Sequence, residues 1–578
     1  MEKFPKCMEF IKKLTSIYED QSGSDSDINE LCNSEEEFEE VITEIEDSED
    51  SGNENLRNTC YKRRRMRIIS DSKSENEMEV VDTCNLENSI ERSADGTLWE
   101  TLKEGGGCGG KPAYSMFKDV SGPTAYAKKN IMLGNVRSSF ELIIDNGMIE
   151  YFKICTETEA RKVLKKDDWS ITEVQLRAFI SILYARGAYE AKSLKASYLW
   201  SKKWGTSFFS KTMSRDKFME ILRFIRFDKR NQRSQRLKTD KFALISLIWD
   251  KFIQNSQACY KPGENLTVDE QLFPSKTRCR FTQFMANKPD EFGIKFWLAS
   301  DVKSKYLIND FPYLGKDEKR PSDLPLGEFV VLKLTEPYLG HGRNITTDNF
   351  FKSISLAKKL LKKKKTTLVG TLRANRKELP KFAKAKKDNM IRYSTKLYKS
   401  DEYVLTVCKS KPNKKVLLLS SKHKNVKVEN DAKRVPETVA YYNKTKFGVD
   451  IVDQMARKYS VKTGSRIWPL HVFYNILDLA AINAWILYKE TTGVKITHKN
   501  FIFQLAEELG SDHRDEQNTS FNSLSVTQNP NVRKSCQIGL RKKNRSNNIC
   551  IKCNKYVCGK SASKIEFTCK KCIENNCE

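Results

Sequence analysis

Histidine is scarce in this chain: five residues in 578, isolated from one another. No histidine cluster is therefore offered for a metal or a proton relay, and His341, beside Gly342, reads as a loop residue. Long unbroken apolar runs are also missing. Met1 to Lys13 holds no sustained apolar stretch, which argues against a secretory signal. The most apolar segment, Leu470 to Tyr488, is about long enough to span a membrane. Asn475, Asp478 and Asn483 interrupt it, so a buried helix of a globular fold is expected, with no membrane partner. No heptad seam is present. Sixteen cysteines are present, seven of them within residues 536–578 and the rest scattered. That distribution argues against a disulfide framework and fits a cytosolic or nuclear chain with one thiol-rich metal module.

What the chain has in excess is positive charge, and it is unevenly placed. The formal net charge is +27, yet residues 1–60 hold 18 Asp/Glu against 5 Lys/Arg, a net of −13. The other 518 residues therefore carry +40. An acidic tail on a body that seeks polyanions points to nucleic acid, with a membrane surface as the rival. The basic cluster "YKRRRMR" (61–67) reads either as a nuclear-localisation signal or as a solvated charge run; the nucleus is the expected compartment.

Residues 1–110 have too little apolar surface to offset chain entropy and are expected to be disordered. Within them "GGGCGGK" mimics a phosphate-binding loop, but Pro112 stands where the hydroxyl ligand belongs and no strand precedes it, so it reads as a linker. Residues 111–260 have helical periodicity: in "SRDKFMEILRFIRF", Phe218, Ile221, Leu222 and Ile225 share a face behind the candidate N-cap Ser214. At 265 the period changes. "NLTVDEQLF", "FGIKFWLASD" and "KYLINDF" read as successive strands, then "GRNITTDNFF" and "TTLVGTLRAN" as strands around the helical "SISLAKKLLKKKK". A mixed α/β core over 261–375 and 436–457 is expected. It would be interrupted by a Lys-rich, β-containing insertion (376–435) and followed by a second helical region (458–530) and a Cys-rich module (531–578).

Asp269 and Asp348 share a description: each ends a short β-branched strand and is followed by a polar residue, Glu270 or Asn349. Asp450 lies on a helix starting near Gly448, with Asp453 on the same face. Carboxylates brought together repel unless a cation sits between them, and Mg²⁺ or Mn²⁺ is the natural guest for such oxygen donors. A pair of such ions can promote phosphoryl transfer. Each Asp alone would read more simply as a turn or cap residue.

The blocks "NLTVDEQLF", "NKPDEFGIKFWLASD", "YLINDFPYLG", "GRNITTDNFFKSISLAKKLL", "LVGTLRANRKELP" and "YYNKTKFGVDIVDQM", in that order, resemble the piggyBac transposase family, over roughly residues 130–490. The resemblance implies a ribonuclease H-like catalytic core with Asp269, Asp348 and Asp450 as metal ligands and Asp453 as a further acidic residue. It implies cut-and-paste chemistry on double-stranded DNA: nicking at the terminal inverted repeats, hairpin formation, and insertion at TTAA by a homodimer. It also places Arg373 and Arg376 at phosphate-contacting positions, where a solvated basic face is the plainer alternative. Trp468 becomes a candidate for stacking on an unpaired base or, equally, a core aromatic. Asn349 reads as a support for Asp348 or as a turn residue. A host-retained DNA-binding protein that no longer cuts is the alternative function.

In the tail, Cys550-x2-Cys553 and Cys569-x2-Cys572, separated by 15 residues, carry the spacing of a tetrahedral zinc site. The family tail resembles a cross-brace finger with two sites. Here Gly539 and Ser561 occupy two ligand positions of the first site. The expectation is one Cys₄ zinc on Cys550, Cys553, Cys569 and Cys572, with the first site absent or rebuilt from Cys536, Cys558 and Cys577.

Overall fold

A computed structural model describes residues 90–105, 117–286, 288, 290–315, 320–385, 389–411, 414–429, 434–526, 534–538, 544–550 and 555–562. Among the described residues the fold is built on an eleven-stranded mixed sheet. Its strands are β1 (Ile90–Arg92), β2 (Leu98–Leu102), β3 (Asn265–Pro274), β4 (Thr282–Phe284), β5 (Phe292–Asp301) and β6 (Leu307–Pro312). They continue with β7 (Asn344–Thr347), β8 (Thr367–Thr371), β9 (Thr395–Ser400), β10 (Tyr403–Lys411) and β11 (Lys414–Ser420). The spatial order is β1-β2-β9-β10-β11-β8-β7-β3-β5-β4, with β6 also paired to β5. Only β3/β7 and β7/β8 run parallel; every other pair is antiparallel. β7 sits between two parallel neighbours and all four of its residues are buried, which its sequence, Asn-Ile-Thr-Thr, meets with β-branched side chains.

Two expectations need correction. Residues 90–102 were placed in a disordered tail, yet they form the β1–β2 hairpin, which extends the sheet by pairing with β9. Trp99 accounts for this: it is fully buried, and its indole N–H donates to the carbonyl of Glu378 at 2.8 Å. One aromatic anchor supplies apolar burial that the surrounding composition does not suggest. Likewise residues 376–435 are no separate body. Their strands hydrogen-bond through β11 to β8, so the insertion widens the central sheet.

Helices α1 (Glu173–Ala188) and α6 (His498–Val526) pack on each other, while α2 (Ser246–Cys259), α3 (Ile354–Lys364), α4 (Gly448–Lys458) and α5 (Trp468–Thr492) contact the sheet. The segment after Ser214 is helical as expected, and the Ser214 hydroxyl accepts the Lys217 N–H at its start. Helix α5 is long and apolar enough to cross a membrane, yet its whole apolar window is buried inside the protein. Its polar residues are internal ties. Asn483 accepts the N–H of Leu307 at 2.8 Å and donates to the Leu307 carbonyl at 3.0 Å, gripping β6. Asn475 donates to Gln271 on β3 at 2.9 Å. Asp478 accepts the Ser460 hydroxyl at 2.6 Å and the Val461 N–H at 2.8 Å. Gly493, with φ +72°, ends the helix in the left-handed conformation.

Burial lifts the Asp478 carboxyl to about 8, outweighing the two hydrogen bonds and the Lys192 and Lys462 charges that pull it down. A group raised above its unfolded value contributes stability that is present at low pH and lost as pH rises through the folded value. The window runs from about 4 to about 8, with a ceiling of ~6 kcal/mol over that shift. Asn can keep both contacts without ionising. Asp478→Asn should therefore melt higher than wild type at pH 8, with the difference shrinking as pH falls and vanishing near pH 4, in paired thermal melts across that range.

Candidate active site

The local chain explains how three carboxylates come to one place. Asp269 does not end its strand, as its sequence suggested; β3 runs five residues further, to Pro274. What ends beside it is the neighbour: β7 pairs with Asn265 to Val268 only, and Asp348 is the next residue after β7. Both carboxylates therefore leave the sheet at the same step in its profile. Asp450 arrives from above. The helix Glu437–Thr445 is tied down at its end, where the Thr445 carbonyl accepts the Thr267 hydroxyl at 2.6 Å and the Thr445 hydroxyl accepts that of Thr346 at 2.9 Å. Three residues later, at Gly448, α4 begins, with Asp450 in its first turn. Gly448 lies so close to the sheet that a Cβ there would sit 2.7 Å from Thr267 Oγ1 and 2.9 Å from Ser300 Oγ.

Asp269, Asp348 and Asp450 line one cleft of about 190 Å³, with Thr347, Tyr442, Lys446 and Phe447 around them. Burial raises the Asp269 carboxyl well above its usual range, and Glu270, Asp450 and Asp348 raise it further. Burial likewise raises Asp348 and Asp450; Arg373 opposes this at Asp348, and Lys288 and Lys446 oppose it at Asp450. The Tyr442 hydroxyl, pushed up to about 12 mainly by burial, feels the same three carboxylates. Backbone N–H groups hold two of them: Glu270 donates to Asp269 and Phe350 to Asp348, each at 2.8 Å.

Whether these residues fit divalent ions follows from their chemistry. Among the described residues no three His, Cys, Asp or Glu side chains stand close enough to enclose one ion between them. Mg²⁺ does not require that: it is commonly held by one or two carboxylates, with water and substrate phosphate oxygens completing the shell. Hard oxygen donors from three elements, crowded in one cleft and repelling one another, fit that mode of binding.

A sequence profile of the family described as Transposase IS4 matches residues 137–485, more than half of the chain. A cryo-EM structure of the piggyBac transposase synaptic complex with hairpin DNA superposes with a TM-score of 0.68 at 29% identity, covering 78% of this chain and 100% of that one. The chain belongs to the piggyBac-type transposase family. Among human proteins it is 24% identical over 366 residues to PiggyBac transposable element-derived protein 2 and 25% identical over 370 residues to PiggyBac transposable element-derived protein 3. The matches cover 61% and 60% of this chain, and the chain spans only 61% and 60% of those relatives' own length.

Within this piggyBac-type chain the other expected site residues are placed differently from the three aspartates. Asp453 does not line the cleft. Its two oxygens accept from Gln271 at 3.0 Å and from the Arg457 guanidinium at 3.0 Å. Arg457 also bonds Asp290 at 2.8 Å and the Leu272 carbonyl at 2.7 Å. Asp453 thus fastens α4 to β3, one turn behind Asp450. Arg373 and Arg376 line an adjoining open cleft of about 660 Å³ with Asn349, Phe350 and Lys377. Arg373 donates to Asn349 at 3.0 Å, so Asn349 braces this arginine, while Asp348 is held by backbone; Arg376 donates to the Lys352 carbonyl at 2.9 Å. Trp468, half-buried at the start of α5, stacks on Phe242 with centroids 5.7 Å apart and meets the edge of Phe281 at 5.0 Å.

In the tail, Cys536 and Cys558 come together: the Cys558 N–H reaches Cys536 Sγ at 3.5 Å, and Ser561 Oγ lies 3.7 Å from one sulfur and 3.4 Å from the other. Cys550 is buried beside Val557. Cys553, Cys569, Cys572 and Cys577 lie outside the described residues. Sequence reasoning missed Tyr442 and Lys446. The Tyr sits inside a quoted block, "YYNKTKFGVD", two turns ahead of Asp450, where a helix-plus-helix reading could have found it.

Proposed function

We propose that this protein is a cut-and-paste DNA transposase with a ribonuclease H-like core, Asp269, Asp348 and Asp450 holding its divalent ions. The observation that carries the reading is the convergence of those three carboxylates, from β3, β7 and α4, on one cleft. The strand order β6-β5-β3-β7-β8, antiparallel through β6, β5 and β3 and parallel through β3, β7 and β8, supports the core assignment.

The substrate is double-stranded DNA, attracted by a body carrying +40 outside its first 60 residues. Asp269, Asp348 and Asp450 would hold two Mg²⁺ or Mn²⁺ ions, which would supply activation of the attacking oxygen and relief of charge on the leaving one. The chain's own residues do the placing. Arg373, beside Asp348, and Arg376, in the adjoining cleft, present guanidinium groups for backbone phosphates. Trp468, backed by Phe242, offers one ring for a base freed at a hairpin. Nicking, hairpin formation and insertion at TTAA are all in-line displacements at phosphorus, so one centre serves each. A homodimer acting in the nucleus on terminal inverted repeats completes the proposal. The test is nicking of DNA carrying the element's ends, with Mg²⁺ and with chelator. Cleavage that survives chelation would overturn it.

The tail carries a proposal of its own: one Zn²⁺ per chain on Cys550, Cys553, Cys569 and Cys572. Native mass spectrometry should count one. Two would mean that Cys536 and Cys558 rebuild the first site, with Cys577 as the added ligand; none would refute the finger. The second functional reading, DNA binding without cleavage, is favoured by Gly539 and Ser561 standing where that first site needs ligands.

A further inference from the structure

The other face of β3 carries a device that the carboxylate cleft leaves unused. Lys295 and Trp297 are two apart on β5 and so share a face, and Trp297 stands directly across from Glu270. The Lys295 ammonium lies 4.0 Å from the centroid of the Trp297 ring and 5.5 Å from that of Phe350. Those two rings are stacked, 5.5 Å apart and inclined by 15°. Phe350 belongs to the loop that follows β7, and its own N–H is the one bonded to Asp348 Oδ1. A continuous contact path therefore runs from the ammonium through two rings to the backbone that holds Asp348.

We propose that Lys295 is a positioning residue: with Trp297 and Phe350 it clamps the Asp348 loop against β5, setting Asp348 beside Asp269 before divalent ions bind. The proposal rests on the three-carboxylate reading. Its physical sense lies in how the cation is held. An ammonium salt-bridged to Asp269 or Asp348 would occupy the lone pairs that a metal needs. One held over ring faces lends a positive field to the acidic cleft and leaves those oxygens open. It also fixes the loop ahead of the ion, so ordering it costs nothing at the moment of binding.

The test is Mn²⁺ binding to the full chain, followed by electron paramagnetic resonance, for wild type, K295M, K295R, F350L and K295M/F350L, with D348N as the site control. K295M should weaken Mn²⁺ binding by ~5-fold, the size expected of a partly buried cation–ring contact. K295R, which keeps a cation over the rings, should stay within about twofold of wild type. F350L should match K295M, and the double variant should be no worse than the weaker single, because both act through one clamp. For K295M and K295R, melting temperature and metal-free DNA affinity should not change. If D348N loses Mn²⁺ while K295M binds like wild type, or if the two losses add in full, the clamp is refuted alone. If D348N binds Mn²⁺ as wild type does, the carboxylate reading falls and takes the clamp with it. Should K295M melt far lower than wild type, K295R against F350L still decides.

Discussion

Asp348→Asn should lower Mg²⁺-dependent nicking of element-end DNA by about 10³-fold or more, while DNA binding and melting temperature stay at or above wild type. The two halves of that result have separate causes. Asn is isosteric and its oxygen can still accept the Phe350 N–H that fixes this position at 2.8 Å. The loop should therefore keep its shape. What disappears is a negative charge in a cleft where burial already disfavours it. A group whose folded value is raised weakens the fold as pH climbs past its unfolded value, so at pH 7.5 the neutral variant should be no less stable, and slightly more. Metal binding is lost because one of three oxygen donors no longer carries charge. The measurement is a nicking assay beside a thermal melt and a metal-free DNA titration. Undiminished cleavage by Asp348→Asn would refute the carboxylate assignment. Absence of cleavage by both proteins, with DNA binding intact, would favour the binding-only reading.

How much of this was legible in the chain depends on the range of the interaction concerned. β5 and the run "NLTVDEQLF" are written in local β-branched and aromatic patterning, and the sheet reproduces them within a residue. α5 was legible as a buried helix because three polar residues broke its apolar run, and each proves to be an internal tie. The hairpin at residues 90–102 was not, since its order depends on Trp99 reaching a carbonyl 279 positions away. Asp453 shows the limit of face arguments. Its spacing of three from Asp450 suggests a shared face of α4, but the pitch turns Asp453 toward Gln271 and Arg457 instead of the cleft. Asn349, open to reading as a support for Asp348 or as a turn residue, sits in the turn after β7, and its side chain accepts from Arg373 instead of serving Asp348. Partner choice at such positions is set by backbone direction, which no single sequence discloses.

Gly448→Val should abolish cleavage through geometry alone, and this variant separates position from chemistry because it leaves every acidic residue in place. Even the first carbon of a side chain at 448 would stand 2.7 Å from Thr267 Oγ1 and 2.9 Å from Thr267 Cβ. Contacts that short are relieved only by movement. Thr267 cannot yield: it lies within β3, between β5 and β7, and its hydroxyl is committed to the Thr445 carbonyl at 2.6 Å. The helix must therefore lift, and Asp450, half a turn on, lifts with it. Overpacking of this kind costs about 1–3 kcal/mol. A displacement of even ~1 Å at a reacting centre can cost on the order of 100-fold in rate. Gly448→Val should accordingly melt several degrees lower yet remain folded and DNA-binding, with nicking down by at least ~100-fold. Gly448→Ala should fall between it and wild type, since one methyl demands a smaller shift. Wild-type nicking by Gly448→Val, in a protein shown by circular dichroism to be folded, would mean that the position of Asp450 over β3 is immaterial to catalysis, and the three-carboxylate centre would have to be abandoned.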